Sequence, residues 1–268
     1  NGFDISCFGF NDGVIYSNAS GGSGSLNYLW SDMTSDSILS NQTAGTYSLT
    51  VTDTNGCSLT DSITLTEPSL LTSINSKTDA LCYGDSTGSA TVIFNGGVTD
   101  YLLSWNGFTY PLINGLNIFS TPIGVPAGVY AYSVTDLNGC SHYDTIYILE
   151  PDSISVSHIT SDYNGYNISC HGGNNGIVSL TISGGTPSYI EDWGIFNPNN
   201  LNAGTYNYQI TDNNGCLYSD SISLSEPNQM SNNLVSTNLS CFNSCDGQII
   251  ANTAGGVYPY SYSWNNGQ

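Results

Sequence analysis

Four cysteines set the frame of this chain. Cys7, Cys82, Cys170 and Cys241 are each followed by Gly-Gly fourteen and fifteen positions on, and by tryptophan twenty-three positions on. The glycine pairs are Gly21-Gly22, Gly96-Gly97, Gly184-Gly185 and Gly255-Gly256; the tryptophans, Trp30, Trp105, Trp193 and Trp264, are all four in the chain. A second half keeps register with Cys57, Cys140 and Cys216. Tyr47, Tyr130 and Tyr206 stand ten positions before them, and Asp53, Asp136 and Asp212 four before. Glu67-Pro68, Glu150-Pro151 and Glu226-Pro227 follow ten and eleven positions after. Self-similarity at a fixed period means one small unit written repeatedly, each copy packing its own core and touching its neighbours.

Proline cannot donate to a sheet ladder, so Glu-Pro suits the passage from the last strand of one unit to the first of the next. The expected domains are 1–67, which lacks a counterpart to the strand after the proline, then 68–150, 151–226 and a truncated 227–268. Length varies most between the tryptophan and the Ala-Gly pair, which marks a surface loop, longest at 106–126. The local pattern is β throughout. Tyr47, Leu49 and Val51 share one face of "TYSLTVT" at 46–52, as do Tyr130, Tyr132 and Val134, and Tyr206, Tyr208 and Ile210. Short strands with Gly, Asn and Asp turns predict an all-β fold: a tandem array of small immunoglobulin-like β-sandwiches.

The phrases "TDTNGC", "TDLNGC" and "TDNNGC" end at Cys57, Cys140 and Cys216. Asn-Gly before a second strand signals a hairpin. A three-residue loop, Thr54-Asn55-Gly56, pairs Asp53 with Cys57 and turns the cysteine to the inner face, within reach of Cys7. The sandwiches are then disulfide-pinned from within, as Cys7–Cys57, Cys82–Cys140 and Cys170–Cys216, with each tryptophan packed on its disulfide. A loop of ~50 residues is worth about 4 kcal/mol on chain-entropy grounds. Cys241 is expected to pair outside this stretch of chain. Cys245 stands where the other units have Asn11, Ser86 and Asn174; a free thiol, a local bridge and a cross-link to another segment all remain open for it.

Composition removes several functions. One basic residue, Lys77, faces 21 acidic ones, for a net charge of −20. Such a surface cannot neutralise phosphates, which argues against nucleic-acid partners, and no apolar run is long enough for membrane insertion. The cysteine usage points to an oxidising, extracellular location. The three histidines, His142, His158 and His171, occupy non-equivalent positions, and nothing pairs a nucleophile with a tuned base, so no enzyme activity is expected. "D-x-N-G" lacks the further carboxylates of a calcium loop; no cofactor is expected beyond loose, non-specific Ca2+ on an acidic surface.

The unit "SCFGFNDG … GG … W … AGTYSLTVTDTNGCSLTDSITLTEP" resembles the SprB repeat of Bacteroidota gliding-motility and cell-surface adhesins. The resemblance implies stalk or filament repeats of a very long secreted adhesin, exported by the type IX system, projecting it from the cell surface for adhesion or gliding. The partners it implies are neighbouring repeats of the same chain. Asp-Ser/Thr-Ile and related triplets are similar to a Bacteroidota O-glycosylation signal, at Ser62, Thr145, Ser221, Ser37, Ser86 and Ser153. Strand alternation turns Ser62 outward, but it also turns Asp61 inward beside Ile63, which calls for a bulge or a hydrogen-bonding partner. Two other readings stand beside the stalk. One is a carbohydrate-binding array using Trp105, Phe108 and Tyr110 of the long loop on surface polysaccharide. The other is a self-assembling fibre, in which the edge strand of one copy completes the sheet of another.

Overall fold

The computed structural model describes residues 2–121 and 124–267. Pro122 and Ile123 of the long 106–126 loop therefore lie outside the described residues. The chain divides into two compact units, Asn1–Glu150 and Pro151–Gln268. No helix occurs among the described residues; the chain is a tandem series of small β-sandwiches.

The first repeat pairs β1 (Gly13–Tyr16) with β3 (Ile38–Gln42) in one sheet. Its second sheet is β2 (Asn27–Trp30), β4 (Gly45–Thr52) and β5 (Ser58–Leu65), in that order. The second repeat is fuller. One sheet has the order β10-β7-β6, built from β6 (Thr72–Thr78), β7 (Ser89–Asn95) and β10 (Ile118–Ser120). The other has the order β12-β11-β8-β9, from β8 (Tyr101–Trp105), β9 (Phe108–Leu112), β11 (Gly128–Thr135) and β12 (Ser141–Ile148). The long loop is thus largely structured. Asn106 and Gly107 both take positive φ, 47° and 84°, as a two-residue hairpin turn requires, and Trp105 pairs with Phe108 across it.

The third repeat pairs β13 (Ser155–Thr160) with β14 (Val178–Ser183), opposite β15 (Ile190–Asp192), β16 (Gly204–Thr211) and β17 (Leu217–Leu224). Beyond it, β18 (Ser231–Thr237) pairs with β19 (Gln248–Ala254).

Alternation fills each core as the sequence implies. Tyr130, Tyr132 and Val134 on β11 meet Ile146 and Ile148 on β12, and all five are buried. Tyr206, Tyr208 and Ile210 meet Ile222 and Leu224 in the same way. Each first tyrosine also donates its hydroxyl to a backbone carbonyl four residues upstream: Tyr47 to Thr43, Tyr130 to Pro126 and Tyr206 to Asn202, at 2.9, 2.8 and 3.0 Å. This is the tyrosine-corner device of immunoglobulin-like sandwiches.

The tryptophans do not pack on disulfides. Trp105 stacks on Tyr130 at 5.6 Å and 9°, with Phe119 at 5.6 Å on its flank. Trp193 stacks on Tyr208 at 5.0 Å. Trp30 is buried among Ile5, Ile15, Leu39 and Leu65. Aromatic and aliphatic contacts fill the place expected for sulfur.

Candidate functional site: the junction between repeats

The repeated phrase is built around a buried carboxylate. Its loop has the expected three residues. Asp53 N–H donates to Cys57 O and Gly56 N–H to Asp53 O, both at 3.0 Å, with Gly56 at φ 84°. Asp53 then turns its side chain inward. Oδ1 accepts from the amides of Asn55 and Cys57, each at 2.9 Å, and Oδ2 from the amide of Ser23 at 3.0 Å. Asp136 does the same with Asn138, Cys140 and Val98, and Asp212 with Asn214, Cys216 and Thr186. All three aspartates are buried. Amides from Ser23 and Cys57 hold the Asp53 carboxyl below its ordinary range. At Asp212 desolvation pushes upward, but the amides of Thr186, Cys216 and Asn214 outweigh it and the net shift is downward. Each aspartate ties the hairpin to the segment just after Gly-Gly, which explains why the two motifs recur together.

The inward place taken by aspartate is closed to cysteine, and here the sequence expectation fails. Cys57 and Cys170 are exposed free thiols, as are Cys241 and Cys245. Cys7 bonds Cys140 instead, with S–S 2.02 Å, Cα–Cα 5.7 Å and a separation of 133 residues. The pairings Cys7–Cys57, Cys82–Cys140 and Cys170–Cys216 are therefore all replaced; Cys82 and Cys216 are disulfide-bonded too. The observed bridge runs from the first cysteine of one repeat to the second cysteine of the next. Asn138, from the same hairpin tip, donates Nδ2–H to Ser6 O at 2.8 Å. Phe8, Phe10, Pro68, Leu70 and Leu71 line a cavity of about 200 Å3 beside the bridge. The junction is thus a packed, covalently closed contact.

The Glu-Pro motif braces the same place. Glu67 Oε2 accepts the amide of Gly9 at 2.6 Å, Glu150 that of Gly84 at 2.6 Å, and Glu226 that of Gly172 at 2.7 Å. Each glutamate so holds the turn after the first cysteine of its own repeat, two positions beyond the sulfur. His171 adds a 2.8 Å contact from Nδ1 to Glu226.

The other candidate residues are dispersed. Trp105 is core, Tyr110 leans on Phe119 at 5.0 Å, and Phe108 alone is widely exposed; the three form no continuous aromatic platform. Ser62, Ser221, Ser37, Ser86 and Ser153 are exposed and Thr145 is half-buried. In the strand triplets the aspartate accepts the amide of the following residue: Asp61 from Ser62, Asp144 from Thr145, Asp220 from Ser221, at 2.7–2.8 Å. The inward aspartate needs no bulge, because Asp144 sits at the sandwich rim with Asn75 Nδ2 at 3.0 Å and Tyr132 hydroxyl at 3.2 Å as donors. Among the described residues no cluster of His, Cys, Asp and Glu has metal-binding geometry, and no helix is long and apolar enough to cross a membrane.

Comparison with known proteins returns one family. The SprB repeat model matches residues 4–35, 74–115, 166–190 and 233–268. Each match contains the first cysteine of a repeat or the strand and loop around it, in the frame read from the sequence. No curated protein matches the chain. With about half of its residues matched at four successive places, the chain belongs to the SprB repeat family.

Proposed function

We propose that these repeats form the tension-bearing shaft of a long cell-surface adhesin, with adhesion or gliding carried out by the molecule they project. The observation that carries this reading is the bridge from Cys7 to Cys140. A disulfide inside a sandwich limits only how far that sandwich unravels. A disulfide between consecutive repeats passes load from the start of one to the end of the next, so the folded residues between them carry none. The family supports a surface adhesin repeat, and the oxidised cysteines suit an extracellular setting. Ser, Thr and Asn faces with almost no Lys or Arg keep such a shaft solvated. Its negative charge discourages side-to-side sticking. Exposed Asp-Ser/Thr-Ile hydroxyls offer places for O-glycans on the shaft, and the type IX system is the export route this family membership suggests.

Single-molecule pulling between handles at the N-terminus and at residue 150 tests the reading. The oxidised chain is expected to show no long unfolding step from its first two repeats. Adding reductant should then release the 133-residue segment, roughly 45 nm at about 3.5 Å per residue. Full-length unfolding steps in the oxidised chain would contradict the proposal.

A further inference from the structure

The two long strands joined by the repeated hairpin pair in the same register in each repeat: β4 with β5, β11 with β12 and β16 with β17. In repeats 1 and 3 their outward side chains are polar and bond to one another across the strands. Thr46 shares a hydrogen bond with Thr64, Thr50 with Thr60 and Thr205 with Ser223, each at 2.8 Å. Gln209 donates Nε2–H to Ser219 at 3.4 Å. Repeat 2 breaks this pattern. Val129 faces Tyr147 where the others have Thr46 with Thr64 and Thr205 with Ser223, and Ser133 faces Tyr143 where they have Thr50 with Thr60 and Gln209 with Ser219. Tyr143 is 74% exposed and Tyr147 58%. Neither fills the core, whose side of β12 is taken by Ile146 and Ile148. Hydroxyls at these places suffice for the fold in the neighbouring repeats, so the rings answer to something other than folding.

The two tyrosines stand in line. They lie on one face of β12, four residues and so about 13–14 Å apart along the strand, with Thr145 half-buried between them. Beside this line the outward side chains of β11 and β8 are small, as Ala131, Ser133 and Ser104. On the far side Leu102 faces Pro111 of β9. The face is a shallow trough with rings along one side and hydroxyls on its floor. No outward residue of β8, β9, β11 or β12 is charged, in a chain whose net charge is −20.

We infer that this face of repeat 2 binds a neutral, extended, β-linked polysaccharide, with Tyr143 and Tyr147 as its two stacking rings. A pyranose has an apolar C–H face and a rim of hydroxyls. The C–H face lies flat on a tyrosine ring, while the rim exchanges hydrogen bonds with the phenols and with Ser133 and Thr145. Two rings in line on one strand suit a ligand that runs straight; a coiling α-linked chain would meet only one of them. Charge decides against other partners. A chain of net charge −20 repels an anionic glycan, and a cationic partner finds no carboxylate on this face. A second copy carries the same negative charge. Rings set apart by hydroxyls also give it no continuous apolar centre of the kind on which protein interfaces are built.

The test is calorimetric titration of the full chain with a soluble β-glucan and a soluble β-mannan, with polygalacturonate as the anionic control. Saturable binding to at least one neutral polymer is expected, and none to polygalacturonate. Tyr143→Thr and Tyr147→Thr introduce the residue type that repeat 1 carries at these places, as Thr60 and Thr64, so the unfolding midpoint should hold. Each should weaken binding by about tenfold or more, since each removes one stacked ring, and the double variant should lose it. Phe108→Thr, at a ring 68% exposed on the other face of the sheet, should leave binding unchanged. Absence of binding to both neutral polymers, equal binding of polygalacturonate, or tyrosine variants that bind like the parent would overturn the proposal. So would a loss on Phe108→Thr, which would move the site to the 106–126 loop. Dimerisation that disappears in the double variant would give the face to a second copy and overturn it too. None of these outcomes bears on the pulling experiment.

Discussion

Replacing Cys140 with serine should lower the stability of the first two repeats by about 5 kcal/mol, the chain-entropy value of closing a loop with a separation of 133 residues. Replacing Cys57 should change it by less than about 0.5 kcal/mol, the range of ordinary surface substitutions. The two cysteines occupy equivalent positions in adjacent repeats, so the contrast isolates the bridge from the local effect of losing a thiol. Urea unfolding followed by the fluorescence of Trp30 and Trp105 reads it. With m near 2–3 kcal/mol/M, the Cys140→Ser midpoint falls by roughly 2 M. Equal losses for the two variants would place a disulfide at Cys57 and refute the bridge between repeats.

The second large effect belongs to Asp136. Its carboxylate accepts three backbone amides, from Asn138 and Cys140 at 2.9 Å and from Val98 at 2.8 Å, and it is only 5% exposed. Asp136→Ala strands those donors in the corner where the hairpin meets Gly-Gly. A loss of about 3–4 kcal/mol is expected, since charge-assisted bonds are worth about 1.5–3 kcal/mol each and water recovers part of the loss. Asp136→Asn keeps one acceptor oxygen and should cost roughly half as much. The same unfolding assay, with amide exchange at Val98 and Cys140, checks both. An alanine variant as stable as the parent would mean that the hairpin holds its shape without the carboxylate.

What was legible in the sequence was local. The Asp-x-Asn-Gly spacing implied a three-residue loop with Gly56 left-handed, and the loop has that form. Alternation at Tyr130, Tyr132 and Val134 implied a buried face, and the face is buried. The disulfide was not legible, because the direction of Cys57 and Cys140 depends on a competitor four residues back. Aspartate satisfies three amides from the inner position, and a thiol satisfies none, so the cysteine is turned outward, and Cys140 there meets Cys7 of the preceding repeat. Alternation turned Asp61 inward beside Ile63 and called for a bulge or a hydrogen-bonding partner; at the equivalent Asp144 a partner is the answer, since it lies at the rim where Asn75 and Tyr132 reach it. The 106–126 stretch read as a loop because its length varies between repeats. The Asn106-Gly107 turn that folds it back as β9 was an unused signal.

The single lysine supplies the most direct test of the bridge. Lys77 is the only tryptic site in the chain, and it separates residues 1–77 from 78–268. The native protein is treated with an alkylating agent to block free thiols and prevent exchange, then unfolded in urea and cut after Lys77. With Cys7 bonded to Cys140, the two pieces must migrate together until reductant is added, and then separate. Pieces that separate without reductant would show that no disulfide crosses the cut, and would contradict a bridge from Cys7 to Cys140.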